Sequence, residues 1–489
     1  MMSKKVVLLG AGFSSLSASC YLAKAGYDVT ILEKNDAVGG RARQLKRDGF
    51  TFDMGPSFYW MPDVFERFFS DFGANVLDYY HLIRLSPSYS VCFGEQDFLT
   101  MDADFSDVKQ TFDKIEPGSG RQLEKFLSKA ESNYNIAVKD LVYQPGESVF
   151  EVVNLETIKR LGAFTKSISK QVSQYVKNDK LRKILEFPVL FLGAKPSSTP
   201  SFYNFMNYAD FKLGTWHPQG GMFVVADAMR RLAESLGVKI RVNTPVNELV
   251  IENNQVKKVM AGDEEFTPDI VLSGADYHHT EQLLPKAARQ YSEKYWDDKT
   301  FAPSALLFYV GFDKKIEHLA HHSLFFDVDF NKHASAIYDE PSYPDKPLFY
   351  ASFPSMSDET VAPQGQEAGI FLIPLAPGLH DSPAIRERYF DIILNRIEET
   401  TKQNLRTHVL FKESFSVSDF VATYNSYKGN AYGLANTLLQ THVLRPKLRS
   451  RKVKNLFFTG QLTVPGPGVP PSLISGKIVS DLIIKHHAP

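Results

Sequence analysis

The sequence predicts an α/β fold, a Rossmann-like parallel sheet interrupted by an inserted α+β domain, and three observations predict it. The first is a βαβ pattern at the start: Lys5–Leu9 reads as an apolar strand, Ser14–Ala25 carries helical spacing through Leu16, Cys20, Leu22 and Ala23, and Asp28–Leu32 reads as a second strand. The second is a switch to helical periodicity between Phe105 and Leu141, with Leu123, Phe126, Leu127, Ala130, Tyr134, Ala137, Val138 and Leu141 on one face. The third lies between Phe301 and Leu379. There the runs Ser304–Phe312, Ser323–Phe326, Leu348–Phe353 and Gly369–Ile373 are short, aromatic or β-branched, and bounded by Pro, Gly and Asp, the pattern of an antiparallel sheet.

The remaining elements return to the first unit. After Trp216–Gly221, a helix over Met222–Leu236 leads to strands at Lys239–Val242, Val246–Ile251, Val256–Ala261 and Ile270–Ser273. Leu456–Thr459 reads as a last strand, followed by a Gly/Pro-rich turn and an amphipathic helix from Ser472 to Lys485. At 489 residues, the chain is expected to form two or three cores, at roughly 100–200 residues per domain. The pattern assigns residues 1–80, 215–285 and 445–489 to one discontinuous domain, and 81–214 and 286–444 to a second.

With 55 basic and 56 acidic residues, the net charge is −1, which gives no field to attract nucleic acid; any phosphate must be held locally. The two cysteines, Cys20 and Cys92, and the absence of a signal pattern at Met1–Leu9 lead to an expectation of a reducing cytoplasm. Apolar stretches such as Phe187–Ala194 and Ala305–Phe312 fall well short of the roughly 18 residues of a membrane helix. The 37 Phe and 22 Tyr supply material for large apolar interiors or tunnels.

The most informative motif is Gly10-Ala11-Gly12-Phe13-Ser14-Ser15, between the first strand and its helix. Gly10 permits a tight turn, Gly12 lets backbone approach a pyrophosphate, and the helix amides beyond point at the anion. Ser15 stands where a third glycine would serve close packing of helix on strand. Glu33 closes the second strand about 20 residues on, where a carboxylate accepts hydrogen bonds from an adenosine ribose and repels a 2′-phosphate. The site therefore suits FAD or NAD rather than NADP. Val38-Gly39-Gly40-Arg41-Ala42 follows at once, and brings a second glycine turn and a fixed cation to the same place.

This pair of motifs resembles the flavin family that includes amine oxidases, protoporphyrinogen oxidase, Rab escort proteins and carotenoid desaturases. Phe52-Asp53-Met54-Gly55-Pro56-Ser57, Trp216–Met222, Leu272-Ser273-Gly274-Ala275-Asp276 and Leu456–Lys477 are similar to the bacterial phytoene desaturase branch. The resemblance implies a GR2-type flavoprotein with FAD as cofactor, and a function in desaturating a carotenoid precursor such as phytoene toward lycopene. It implies that Gly460, Gly466, Gly468 and Val469 lie beside the flavin ring, where a helix N-terminus favours the charge of the reduced flavin, and that Val246 meets the adenine end. Val246 reads equally as a core valine.

The implied partners are a long apolar polyene, a membrane surface and an electron acceptor such as quinone or oxygen. The implied location is the cytoplasm, attached peripherally to the inner face of the cell membrane, with a helical part of the second domain facing it. Phe187–Phe191, Phe202–Tyr208 and Phe308–Phe312 are candidate tunnel walls. Glu186, Asp210 and His217 are candidate proton acceptors, each also readable as structural. The pairs His278-His279, His321-His322 and His486-His487 read as structural or solvated, because neighbours on a strand point to opposite faces and no ligand spacing accompanies them. An oxidase of small amines and a non-catalytic escort of prenylated partners are the alternatives.

Overall fold

The computed structural model describes residues 3–139, 141–148, 151, 166–437 and 439–489. Two sheets organise it. The first is five-stranded and parallel, in the order Leu456–Phe458, Ile270–Ser273, Lys5–Leu9, Asp28–Leu32, Lys239–Arg241. Val6 to Leu9 are buried on both faces, as a central parallel strand requires. All five strands fall in the three stretches assigned to the first domain.

The helix Phe13–Lys24 covers one face and crosses the closing helix Val469–His486 closely. Small residues allow this approach: a Cβ on Gly476 would come within 2.5 Å of Ser14 O, and Ser17 Oγ donates to Leu473 O at 2.8 Å. The first and last helices of the chain are thereby tied together over the sheet. Glu248–Glu252, Gln255–Ala261 and Glu264–Phe266 form a separate antiparallel sheet and do not join the parallel one.

The second main sheet has seven strands, in the order Val409–Phe415, Ser304–Phe312, Glu367–Leu375, Phe349–Ser352, His322–Phe325, Tyr89–Gly94, Asp97–Met101. It is antiparallel except where His322–Phe325 runs parallel to Tyr89–Gly94. That last hairpin and Val409–Phe415 are strands beyond those expected from the sequence. Ser304–Phe312 is buried on both faces: Leu306, Phe308, Val310 and Phe312 pack under the helix Pro383–Thr401, while Ala305, Leu307 and Tyr309 face Phe50 and Phe52. The expected helical region is two helices, Phe105–Ile115 and Ser119–Lys139, broken at Gly118 with φ +87°. Among the described residues no helix is long and apolar enough to cross a membrane.

Candidate functional site

One cavity of about 830 Å³ runs from the parallel sheet into the space under the seven-stranded sheet. Its first end is built mainly from backbone. Gly10 leaves the first strand at φ +83° and donates its N–H to Leu32 O at 2.8 Å. Gly12 opens the helix, and nothing stands within 4 Å of where its Cβ would be, so a side chain there would project into the cavity. Gly39 donates to Ala11 O at 2.8 Å, and a Cβ on Gly40 would stand 3.2 Å from Gly12 Cα. The two glycine turns therefore touch, which side chains would prevent.

Glu33 sits at the edge of this end with its carboxylate fixed: Oε2 accepts from Ala11 N–H at 2.7 Å and Oε1 from Asn35 N–H at 2.8 Å. Arg41 reaches Ser426 Oγ at 3.0 Å and Asn430 O at 3.2 Å, and lies 5.3 Å from the Tyr424 ring. Burial pulls its pKa down, opposed by the negative charge of Asp276. Val246 lines the same end, just before the strand Glu248–Glu252 rather than within it.

Gly460, Gly468 and Val469 also line the cavity, Gly460 just beyond the strand Leu456–Phe458 and beside Ser14. Gly468 caps the last helix at φ +116°, and Pro470 and Pro471 follow Val469. Prolines carry no N–H, so of the first three helical residues only Val469 offers a donor, and the positive end expected here is thinner than a generic helix start. Buried Arg445 holds the loop from behind, donating to the carbonyls of Gln461, Thr463 and Leu434. Burial pushes its pKa down to about 10.

Of the residues predicted at the cofactor, Gly466 is not on this wall, facing Asn436 and Arg445 instead, and neither is Ser15. It is fully buried, and its Oγ would lie 2.1 Å from a Cβ on Gly274, so it packs helix against strand while Ser14 faces the cavity. The others, Gly10, Gly12, Glu33, Gly39, Gly40, Arg41, Val246, Gly460, Gly468 and Val469, are brought together on one surface. These residues fit a dinucleotide: side-chain-free turns for a pyrophosphate, an oriented carboxylate for a ribose, and a buried Arg41 Nε without a partner among the described residues.

The second end is apolar. Phe187, Leu190, Phe202, Tyr203, Phe205 and Met206 stand on it, so two of the three predicted aromatic stretches contribute. Phe308–Phe312 does not; its phenylalanines face the helix-covered side of their strand, and Ala305 and Leu307 reach the cavity instead. None of the predicted proton acceptors reaches the wall. Glu186 lies outside it, Asp210 is buried beneath Tyr89, whose hydroxyl it accepts at 2.8 Å, and His217 is buried 3.1 Å from Asp358. Burial raises the Asp210 pKa to about 7. Tyr350, which does line the wall, has no signal in the sequence, and its partner is His322, one of the pair read as structural or solvated. Adjacent His321 and His322 do not diverge as strand neighbours would, because the strand begins only at His322, and their rings stand 4.4 Å apart.

A model of the family described as flavin containing amine oxidoreductase matches residues 13–484. Carotenoid 3,4-desaturase of Haloarcula japonica is 42% identical over 484 residues, covering 98% of both chains. The 4,4′-diapophytoene desaturase (4,4′-diaponeurosporene-forming) of Staphylococcus haemolyticus is 32% identical over 498 residues, again covering 98% of both. Among solved structures, a putrescine oxidase bound to putrescine superposes with a TM-score of 0.65 at 13% identity, covering 99% of each chain, a likeness of fold alone.

Proposed function

The chain belongs to the flavin containing amine oxidoreductase family and is an FAD-dependent oxidoreductase, and from that premise we propose that it desaturates a carotenoid. The observation that carries the proposal is the continuity of the cavity, from glycine turns fitted to a dinucleotide into an aromatic wall fitted to a long hydrocarbon. Among the described residues, the carboxylates on the wall are Glu33 and Asp276, both at the dinucleotide end. An amine cation would find no counter-charge at the apolar end, and a polyene needs none.

FAD, held by the glycine turns, Glu33 and the Gly460–Val469 loop, supplies an acceptor for hydride. The protein's own contribution is to align two neighbouring carbons of the chain, exclude water along the aromatic wall, and remove the proton that follows. We infer that the substrate is a later carotenoid, since the 42% relative is named for 3,4-desaturation. Conversion of phytoene toward lycopene is the second reading, favoured by the similarity to diapophytoene desaturases.

Such a substrate is dissolved in membrane. Leu439, 79% exposed, and Leu444 flank Thr441 and His442 at the rim of the cavity, which supports docking of this rim on a bilayer, on the cytoplasmic side. A quinone or oxygen would then reoxidise the flavin. The test is expression in two hosts, one making phytoene and one making a fully conjugated acyclic carotenoid, with the pigments identified. New conjugation only in the second host supports the first reading; new conjugation in the first host moves the assignment to phytoene; no change in either overturns the proposal.

A further inference from the structure

Behind the apolar wall stands a row of buried titratable side chains for which the dinucleotide has no use. Tyr350 Oη, on the wall, shares a hydrogen bond of 2.7 Å with His322 Nδ1. The His322 ring stacks on Phe58 at 3.9 Å and meets His321 edge-on at 4.4 Å. The ring centroids of His321 and His217 are 4.8 Å apart, and His217 Nε2 is 3.1 Å from Asp358 Oδ2. The other Asp358 oxygen accepts the hydroxyl of Thr360 at 2.6 Å. The histidines and Asp358 are at most 4% exposed, whereas Thr360 is at the surface. The row thus leads from the cavity to solvent through side chains of separate segments.

Two of its atoms lack partners among the described residues, His322 Nε2 and His321 Nδ1, on adjoining rings. Leaving such atoms buried and unpaired is unfavourable, so a purely structural core would favour apolar residues here. Burial keeps both of these histidines neutral, with pKa values well below the ordinary range. Burial works against ionised Asp358, but hydrogen bonds from His217, Gly220 N–H and Thr360 outweigh it and hold the carboxyl well below the usual range. Asp53, near His217, is the other carboxyl at the row; burial raises it to about 6. Tyr350 also lies beside Ser57, in the segment where Gly55 packs on Arg41, which puts it at the part of the wall nearest the glycine turns.

We propose that Tyr350 takes the proton lost by the substrate and that His322, His321 and His217 conduct it to Asp358 and the surface. The proposal rests on the desaturation reading. One hydrogen leaves as hydride to the flavin; the C–H bond on the neighbouring carbon then breaks, and its electron pair becomes the new C=C bond. The proton adds to Tyr350 Oη as the phenol proton passes to His322 Nδ1. His322 gives its Nε2 proton to the unpaired His321 Nδ1, His321 passes its other ring proton to His217, and His217 passes its Nε2 proton to Asp358 Oδ2, from which it leaves to solvent beside Thr360. The Asp358 carboxylate balances the cation as it moves.

The first test needs no substrate. In the FAD-bound protein labelled with ¹⁵N-histidine, the His322 ring N–H should exchange with solvent deuterium rapidly despite its burial. His217→Phe and the surface change Thr360→Val should each slow that exchange at least roughly tenfold, since only local opening would then expose the ring. In turnover, Tyr350→Phe should lower the rate of product formation roughly 100-fold, with bound flavin and KM unchanged and the solvent isotope effect lost. Exchange indifferent to both row variants, together with full turnover by Tyr350→Phe, overturns the proposal. If the unaltered protein desaturates no carotenoid, the functional reading fails, and the exchange measurement still decides whether the row conducts protons.

Discussion

The two ends of the cavity are built by different means. At the dinucleotide end, recognition is done by backbone: Gly10, Gly12, Gly39 and Gly40 matter for what they lack, and Glu33 is aimed by main-chain N–H groups from Ala11 and Asn35. At the apolar end the wall is side chains drawn from distant segments, among them Phe187, Phe205, Leu324 and Tyr350. A pyrophosphate demands directed donors at fixed spacing, which few local sequences provide, whereas a hydrocarbon demands only apolar area, which many do. The first end should therefore be brittle and the second tolerant.

The largest effect expected from this contrast is at Gly12. The Cβ of a valine there meets no neighbour within 4 Å and the backbone keeps an ordinary φ of −76°, yet the side chain enters the cavity, so the fold should survive while FAD affinity falls at least roughly 1000-fold, about 4 kcal/mol. Flavin content after gel filtration, set against an unchanged circular dichroism spectrum, decides it; retained flavin would break the comparison.

Next comes Asp210, on the substrate side. Its pKa, raised to about 7 by burial, means that its stabilising contribution is complete below about pH 4 and is lost as pH climbs through 7. Asp210→Asn keeps an acceptor for Tyr89 and should be more stable than the parent at pH 8, by roughly 2–4 kcal/mol, with the gap closing toward pH 4. Thermal melts across that range show it; a gap independent of pH would contradict the cause given.

Glu33→Gln removes the anion but keeps one acceptor for the two amides, and should weaken FAD about tenfold, the cost of one poorly satisfied buried donor. Equilibrium dialysis against FAD measures it. The smallest effect belongs to the apolar wall. Met206→Leu conserves volume and should cost less than about 1.5 kcal/mol, with flavin binding untouched and product formation within roughly threefold. A loss as steep as at Gly12 would show that the hydrocarbon end is as exacting as the other.

The same contrast explains what was legible. Gly10 to Ser15, Glu33 and Gly39 to Arg41 are contiguous or nearly so, and their spacing follows from a strand, a turn and a helix, so a linear reading finds them. Ser15 packs helix on strand as its position in the motif predicts, but that Ser14 faces the cavity in its place depends on how the helix is rotated against Gly274. Phe308–Phe312 is expected on the tunnel, yet its phenylalanines pack under the helix Pro383–Thr401, and only that helix determines which residues of the strand are withdrawn. His321 and His322 were set aside on strand alternation, which fails because only one of them is in the strand.

The sequence by itself determined the α/β class, the dinucleotide turns and the order in which the chain leaves and re-enters the parallel sheet, since these rest on local backbone geometry and hydrophobic period. The tertiary structure alone decided which aromatic residues face the cavity and that Tyr350, His322, His321, His217 and Asp358 form one row. Their separation along the chain is large, and a buried side chain acquires its partner, its charge state and its exposure only from the segments folded against it.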